Sequence, residues 1–436
     1  MSELQRTGTR PRILIVSQEG LYPDFVGGME VRGGELRDAL ARIAHVTVLS
    51  RTELLDTAGE SAQALQTHTN LTGVPCTPGV HLLQRVSWRA GLVAAVHGAR
   101  RAVRAHLTSV RPHLIYLNSV AQLSPPVVHA LLTWGVPVVA WFGDRHSRLP
   151  ALFSDEWRRP MASELGNAAH LLPDATMRTT RAPRNLHLVF NCDWLRSIYV
   201  PAFPPDTPHA VLYDGVDGAH FAPAMRCGTT SHEGHGANDG CASDDTVRFA
   251  FLGRVVYDKG FIEFCEAMVT LDALLREDRN GAPRLEVEII GDGDARVPGL
   301  EILQRAGLGL RVTALGTATR DAVAERLRRG SVLVSPSRDE ALPASIMEAM
   351  ASALPVIATD VGGTREVLEH GETGLIVPVG DGESLVRACA TLATEHELRR
   401  RLGARARSRM LTAFRRDDGI EATVAVMQSA LTRVVP

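Results

Sequence analysis

Short apolar, β-branched runs alternate with helical stretches along most of the chain. In the first half the runs are Ile13–Val16, Val46–Leu49, Leu114–Leu117, Val136–Trp141 and Leu186–Phe190. In the second half they are Phe249–Leu252, Leu285–Ile290, Val312–Leu315, Val332–Ser335, Val356–Ala358 and Leu375–Val377. Several are apolar throughout, the pattern of a parallel strand covered by helices on both faces. Strands alternating with helices imply βαβ units. The pattern lapses over 222–246, a stretch of Gly, Ser, Thr, Asn, Asp and His with almost nothing that could pack. Composition predicts a mobile linker or insertion there.

The expected organisation is therefore an α/β protein of two domains: an N-terminal domain over 1–221, the linker over 222–246 and a C-terminal domain over 247–416. The remaining 417–436 form a helix expected to cross back to the first domain. Ligands of open α/β sheets bind beyond the carboxyl ends of the strands. Two such sheets facing each other would enclose a cleft.

The bulk numbers agree with this picture. A chain of 436 residues, 45% hydrophobic, is too long for one ordinary core. Its formal charge of −2 gives no reason to expect nucleic acid as a partner. The first residues run from Met1 through polar positions directly into a strand, without a signal-peptide pattern, and no run of about 18 apolar residues occurs. Six scattered cysteines make no disulfide framework, so a reducing cytoplasm is the expected setting. A helix over Leu92–Leu107 carries Arg100, Arg101 and Arg104; it reads as a surface helix, with peripheral membrane contact as the alternative.

One count changes the picture. The 47 basic residues comprise 46 arginines and a single lysine, Lys259. Such a bias fits a high-GC bacterial genome, and a lysine kept against it suggests a site needing a compact ammonium. Lys259 lies in Phe251-Leu-Gly-Arg-Val-Val-Tyr-Asp-Lys-Gly260, where a strand end gives way to Gly253, Arg254, Lys259 and Gly260. Two cations on flexible backbone at the mouth of a sheet suit a diphosphate, which Arg grips with a fork and Lys with a point charge.

A second segment, Ser335-Pro-Ser-Arg-Asp-Glu-Ala-Leu-Pro-Ala-Ser-Ile-Met-Glu348, reads as strand, loop and helix, with Pro343 at the first helical position. Glu340 falls just ahead of the helix and Glu348 about two turns into it. A helix start offers free N–H groups and the positive end of its dipole. Carboxylates there would repel phosphate but accept hydroxyl donors well. A ribose and a hexose on either side of a diphosphate fit that layout. A third segment, Asp292-Gly293-Asp294, reads as a tight strand-to-helix turn, with a metal-binding Asp-X-Asp as the alternative. Cys227, His232, His235 and Cys241 in the linker could supply a zinc ligand set, though incidental placement is the simpler reading.

Glu340-X7-Glu348, followed by Ala349-Met-Ala-Ser-Ala-Leu-Pro-Val-Ile-Ala-Thr-Asp-Val-Gly-Gly363 and Gly371-Glu-Thr-Gly-Leu-Ile-Val-Pro378, resembles the retaining GT-B glycosyltransferases of family 4. Gly253-Arg254 with Lys259-Gly260 is similar to the phosphate-binding pair of that family, and Tyr213-Asp-Gly-Val-Asp217 with Phe221 to its domain-joining element. Gly27-Gly28 is similar to its N-terminal glycine loop. The likeness runs continuously over about 247–380 and is sparse before that.

The resemblance implies two Rossmann-like domains and transfer of a sugar from a nucleoside diphosphate, UDP being commonest, to a hydroxyl acceptor with retention. It implies neither cofactor nor metal. Arg254 and Lys259 would bind the diphosphate, Gly27 and Gly28 would let backbone approach it, and Glu348 would hold the ribose. Glu340 and the Leu342 amide would contact the transferred sugar. Where the family commonly has a histidine after the fourth strand, this chain has Gly143, followed by Asp144 and His146. His146 and Asp144 become the candidates on the acceptor side. Asp214 and Ala341 stand where an Asn and a Gly are usual. Acceptors in natural-product or cell-envelope biosynthesis suit a high-GC bacterium. The alternatives are a nucleotide-sugar 2-epimerase and a non-catalytic homologue that binds nucleotide sugar or a protein. An NAD-dependent oxidoreductase is disfavoured, since no full Gly-X-Gly-X-X-Gly follows the first strand.

Overall fold

A computed structural model describes residues 9–17, 28–50, 101–118, 125–145, 149, 185–224, 246–277, 283–305 and 310–433. Gly27, His146, Arg100 and the linker residues Cys227, His232, His235 and Cys241 lie outside them. The chain divides into two units, Met1–Leu212 with Ile420–Pro436, and Tyr213–Gly419.

The first unit holds β1 (Arg12–Ser17), α1 (Gly28–Ala41), β2 (His45–Ser50), β3 (Leu114–Asn118), α2 (Pro125–Leu132), β4 (Val138–Phe142), β5 (Leu186–Phe190), α3 (Asp193–Tyr199) and β6 (His209–Val211). The strands pair in parallel in the order β2-β1-β3-β4-β5-β6. The central strands β3, β4 and β5 are buried at every position, Asn118 of β3 and His187 of β5 included, as in a parallel sheet covered on both faces. The edge strand β2 alternates between exposed and half-buried positions before its buried end. Over 101–110 the chain is helical, with Ala102, Val103 and Leu107 buried and Arg101 and Arg104 exposed. That is the division of an amphipathic surface helix.

The second unit holds β7 (Thr246–Leu252), α4 (Phe261–Glu277), β8 (Arg284–Ile290), α5 (Arg296–Arg305), β9 (Arg311–Gly316), α6 (Arg320–Arg329), β10 (Val332–Ser335), α7 (Ala344–Ala351), β11 (Val356–Thr359), β12 (Gly374–Val377), α8 (Gly382–Thr394) and α9 (His396–Ala413). A second parallel sheet runs β12-β11-β10-β7-β8-β9. Its core joins Phe249, Phe251 and Ile289 of the sheet to Phe261, Phe264, Met268 and Leu271 of α4 and Leu385 and Leu392 of α8. Thr319 caps α6 by accepting from the Ala322 amide, and Asp381 caps α8 by accepting from that of Ser384.

Three boundaries differ from expectation. The first unit ends at Leu212, because 213–221 is bound into the second. Val216 donates to the Phe414 carbonyl at 2.8 Å, and Arg407 of α9 donates to the carbonyls of Phe221 and Gly218 at 3.1 and 3.3 Å. The strand β7 begins at Thr246, which the composition had assigned to the linker. Pro343 is the N-cap of α7, with extended ψ of 111°, and the helix starts one residue later.

The last helix, α10 (Arg416–Arg433), places Met427 and Ala430 in the core of the first unit with Ile13, Leu36, Tyr116 and Val139. Arg32 of α1 fastens that packing. It is 3% exposed, donates to the Tyr116 hydroxyl at 2.6 Å and the Thr423 hydroxyl at 3.0 Å, and lies 4.6 Å over the Trp141 ring. A buried cation held by hydroxyls and an aromatic face keeps polar contacts without a large desolvation deficit.

Candidate functional site

The second sheet reverses its order at β7: successive strands run outward to β9 on one side, while β10 and its successors run outward on the other. A ligand crevice is expected beyond the carboxyl ends of the strands at such a reversal. The loops that leave β7 and β10 carry Arg254, Lys259, Glu340 and Leu342, and Glu348 follows on α7.

The β7 loop starts at Gly253, whose φ of +140° strains any residue with a side chain. Its amide donates to the Ile290 carbonyl at 3.0 Å, and that of Val255 to the Asp292 carbonyl at 2.9 Å, tying the loop to the end of β8. Arg254 is exposed and has no ion-pair partner among the described residues. Tyr257–Lys259 forms a single 3-10 turn closed by Gly260 in the left-handed region, φ 70°. A Cβ on Gly260 would collide with the Pro336 carbonyl, so glycine here lets the two loops touch.

The β10 loop is held from several sides. The Arg338 amide donates to the Asp258 carbonyl at 2.8 Å, and the Arg338 guanidinium binds Glu263 at the start of α4. The buried Thr359 hydroxyl of β11 donates to the Ser337 carbonyl. The Gly363 amide donates to the Ala341 carbonyl at 2.7 Å. Gly362, φ 52°, approaches so closely that a Cβ would strike the Glu340 carbonyl.

Within this frame Lys259 and Glu340 meet directly. Nζ donates to Glu340 Oε1 at 2.6 Å and to the Asp339 carbonyl at 3.3 Å, and the Ser337 hydroxyl donates to the same Oε1 at 3.3 Å. The side chains are 20% and 16% exposed, enough shelter to strengthen the attraction and enough opening for a ligand to reach it. Leu342 is buried and anchors the loop ahead of α7.

Glu348 is half-buried on α7. Burial pushes its carboxyl up to about 7 against the opposing pull of Arg416 and Arg320. Sequence reasoning missed these two arginines. Arg320 opens α6, pairs with Asp217 at 3.6 Å and lies 5.4 Å over the Phe221 ring; Arg416 donates to the Gly215 carbonyl at 3.2 Å. Asp217 and Phe221, which Arg320 contacts, belong to the motif similar to the domain-joining element, so that motif is the sequence signal lying beside Arg320.

Asp292 accepts from the Gly293 amide at 2.9 Å and pairs with Arg296 at 3.3 Å, as the side chain of a tight turn does. No group of three or more metal-ligating side chains gathers among the described residues.

In the first unit the sheet reverses at β1, with β2 on one side and β3 on the other. Gly28 is the first residue of α1, directly after β1 in element order. Buried Ser17 and Asn118 end β1 and β3, with Asn118 Nδ2 donating to Ser17 Oγ at 3.5 Å. Asp144 follows β4, half-buried, its carbonyl accepting from the Tyr199 hydroxyl at 3.3 Å. At Gly143 a Cβ would fall among the Cη2, Cζ3 and Cζ2 atoms of Trp141. The indole occupies the room that a side chain at 143 would need, which is the physical reason for glycine there.

Residues 241–409 match the family model Glycosyl transferases group 1. The chain is 35% identical over 156 residues to 2-deoxystreptamine N-acetyl-D-glucosaminyltransferase of Streptomyces fradiae, covering 36% of each. It thus spans well under two thirds of that relative's length. Among solved structures it is similar to sucrose-phosphate synthase of Thermosynechococcus elongatus, 19% identical with TM-score 0.66 over 97% of this chain and all of that one. It is also similar to HepE of Anabaena in complex with UDP and glucose, 17% identical with TM-score 0.61 over 96% and 100%. No described helix is long and apolar enough to cross a membrane. The fold is α/β of the GT-B class, with two Rossmann-like parallel-sheet domains, and over residues 241–409 the chain is similar to the glycosyl transferases group 1.

Proposed function

We propose that the protein transfers a sugar from a nucleoside diphosphate, UDP in the first instance, to a hydroxyl acceptor with retention and without a metal. The observation that carries this reading is the pairing of Lys259 with Glu340 at the reversal of the second sheet, on the same loops as the exposed Arg254 and ahead of Glu348. A cation and a hydroxyl acceptor placed side by side suit the junction of a diphosphate with a sugar.

The division of labour follows from charge. Arg254 and Lys259 neutralise the diphosphate, whose charge grows as the glycosidic bond breaks, so their attraction is strongest in the transition state. The α7 N-terminus, where Pro343 supplies no side-chain cap, adds the positive end of a helix dipole. Glu340 and the Leu342 amide orient the transferred sugar. Glu348, once ionised, accepts from the ribose hydroxyls. Of the first unit, Gly27 and Gly28 are the positions assigned to backbone approach to the diphosphate, and Asp144 and His146 those assigned to the acceptor. HepE, solved with UDP and glucose, and the Streptomyces enzyme, named as a 2-deoxystreptamine N-acetyl-D-glucosaminyltransferase, favour UDP and a small polyol acceptor in natural-product or cell-envelope biosynthesis.

The test is release of nucleoside diphosphate from a panel of nucleotide sugars supplied with polyol acceptors in EDTA. Turnover with an α-linked product from an α-linked donor supports the reading; turnover only with added divalent metal, or an inverted product, contradicts those parts of it. Epimerised nucleotide sugar without transfer would put the 2-epimerase in its place.

A further inference from the structure

The two cations of the candidate site differ in one respect. Arg254 is exposed and unpaired among the described residues, so an arriving diphosphate meets it at no cost in broken contacts. Lys259 is already engaged: its ammonium holds Glu340 at 2.6 Å and the Asp339 carbonyl at 3.3 Å. Among the described residues Glu340 in turn has only the Ser337 hydroxyl, at 3.3 Å, as a second side-chain donor. An ammonium offers three protons, so Lys259 can keep the Asp339 carbonyl while its other protons change partner.

We infer that Lys259 and Glu340 form a partner-exchange latch, which a nucleoside diphosphate must open and which the sugar of the donor closes again. Resting on the proposed function, the exchange runs as follows. The diphosphate takes the Lys259 ammonium, and the Glu340 carboxylate loses its strongest partner while a like-charged group arrives. A donor brings sugar hydroxyls that Glu340 accepts instead, so every polar group is satisfied again. A free nucleoside diphosphate brings none, and leaves Glu340 short of a donor in a sheltered site, a costly state for a charge. The latch therefore weakens the grip on the spent nucleotide relative to the donor, which favours exchange of product for fresh substrate. No bond is made or broken in this step; only hydrogen-bond partners change.

The surrounding loops suit such a latch. Their backbones are fixed by Gly260 against Pro336, by Gly362 against Glu340 and by the Arg338–Glu263 pair. The exchange then needs side-chain rotation alone.

A double-mutant cycle tests this, with calorimetric titration of UDP, GDP, ADP, CDP and dTDP and comparison of the one bound tightest. The latch predicts that Glu340→Gln, which keeps the shape and removes the charge, binds that nucleotide about tenfold more tightly than wild type. In a Lys259→Ala background, where no latch exists, adding Glu340→Gln should change affinity by less than about twofold. An equal gain in both backgrounds would mean simple repulsion between Glu340 and phosphate, and would overturn the latch. Unchanged or weaker binding in Glu340→Gln would overturn it as well, while leaving the nucleotide site itself established. Failure of wild type and all variants to bind any nucleotide would instead remove the functional reading, and the latch with it.

Discussion

The carboxyl edges of the two sheets are built from opposite materials. In the second unit that edge is charged and laced by backbone contacts: Lys259 on Glu340, Arg338 on Glu263, and glycines at 260 and 362 pressed against neighbouring carbonyls. In the first unit the described residues that end the strands are neutral, and the carboxylate of Asp144 follows β4. Ser17, Asn118, Asn191 and Gly143 line the strand ends, and the Trp141 ring fills the space beside Gly143. On the proposed function the difference has a simple meaning. A diphosphate carries fixed charge and is best met by fixed countercharge, whereas an acceptor offering hydroxyls calls for neutral polar groups and room. It also explains why one edge was legible from the sequence and the other was not, since charges at fixed spacing leave a signature and neutral strand ends do not.

The sharpest way to break the comparison is Glu340→Gln. If the charged edge performs the chemistry, this isosteric change should lower kcat by about a hundredfold, or about 2.7 kcal/mol of transition-state stabilisation. Normal turnover in a steady-state assay would remove Glu340 from the sugar.

The neutral edge has its own test. Gly143→Ala must displace the Trp141 ring, and should cost about 2 kcal/mol of stability by overpacking. Adding Trp141→Phe to Gly143→Ala should recover part of that loss relative to the sum of the single changes. Additive losses in denaturant unfolding would show that the ring does not set residue 143.

Next in size is Lys259→Ala. Loss of a charged hydrogen bond to the diphosphate should weaken nucleotide binding about tenfold, or about 1.4 kcal/mol. Unchanged affinity would leave the single lysine of the chain without a role.

The smallest effect concerns pH. Between the ordinary carboxyl value of 4.5 and about 7, the folded chain holds a proton on Glu348 that the unfolded chain releases. The contribution of this group to stability therefore falls as pH rises through that window, and Glu348→Gln should remove that part of the slope. The ionised carboxylate is the better acceptor for ribose hydroxyls. Nucleotide affinity of wild type relative to Glu348→Gln should accordingly rise a few-fold as pH passes through about 7. A flat ratio in pH-stepped calorimetry would mean that Glu348 does not touch the ribose.

Much of the fold could be read from hydrophobic runs because the central strands are largely apolar, with single polar residues such as His187 in β5 and Ser335 in β10, and these two were legible even to their bounds at Leu186–Phe190 and Val332–Ser335. β6 escaped, being three residues of mixed character at a sheet edge. The boundary at Leu212 could not be read either, since it depends on where Val216 finds its hydrogen bond, a matter of tertiary contact. At the site, Lys259 stood out by rarity, and Glu340 and Glu348 by their spacing around a helix start. The arginines that act on Glu348 did not, because Arg320 and Arg416 come from separate elements and blend into 46 arginines. The role of Trp141 in excluding a side chain at 143 follows from the ring's orientation, which no spacing rule conveys.

The most direct test of the central claim is calorimetric titration of the protein with UDP, GDP, ADP, CDP and dTDP in the presence of EDTA. The account predicts selective binding of one nucleotide at about micromolar affinity, UDP first, without metal. Absence of binding to all of them would contradict a donor site at Arg254, Lys259 and Glu348, and would favour a homologue that binds a partner instead.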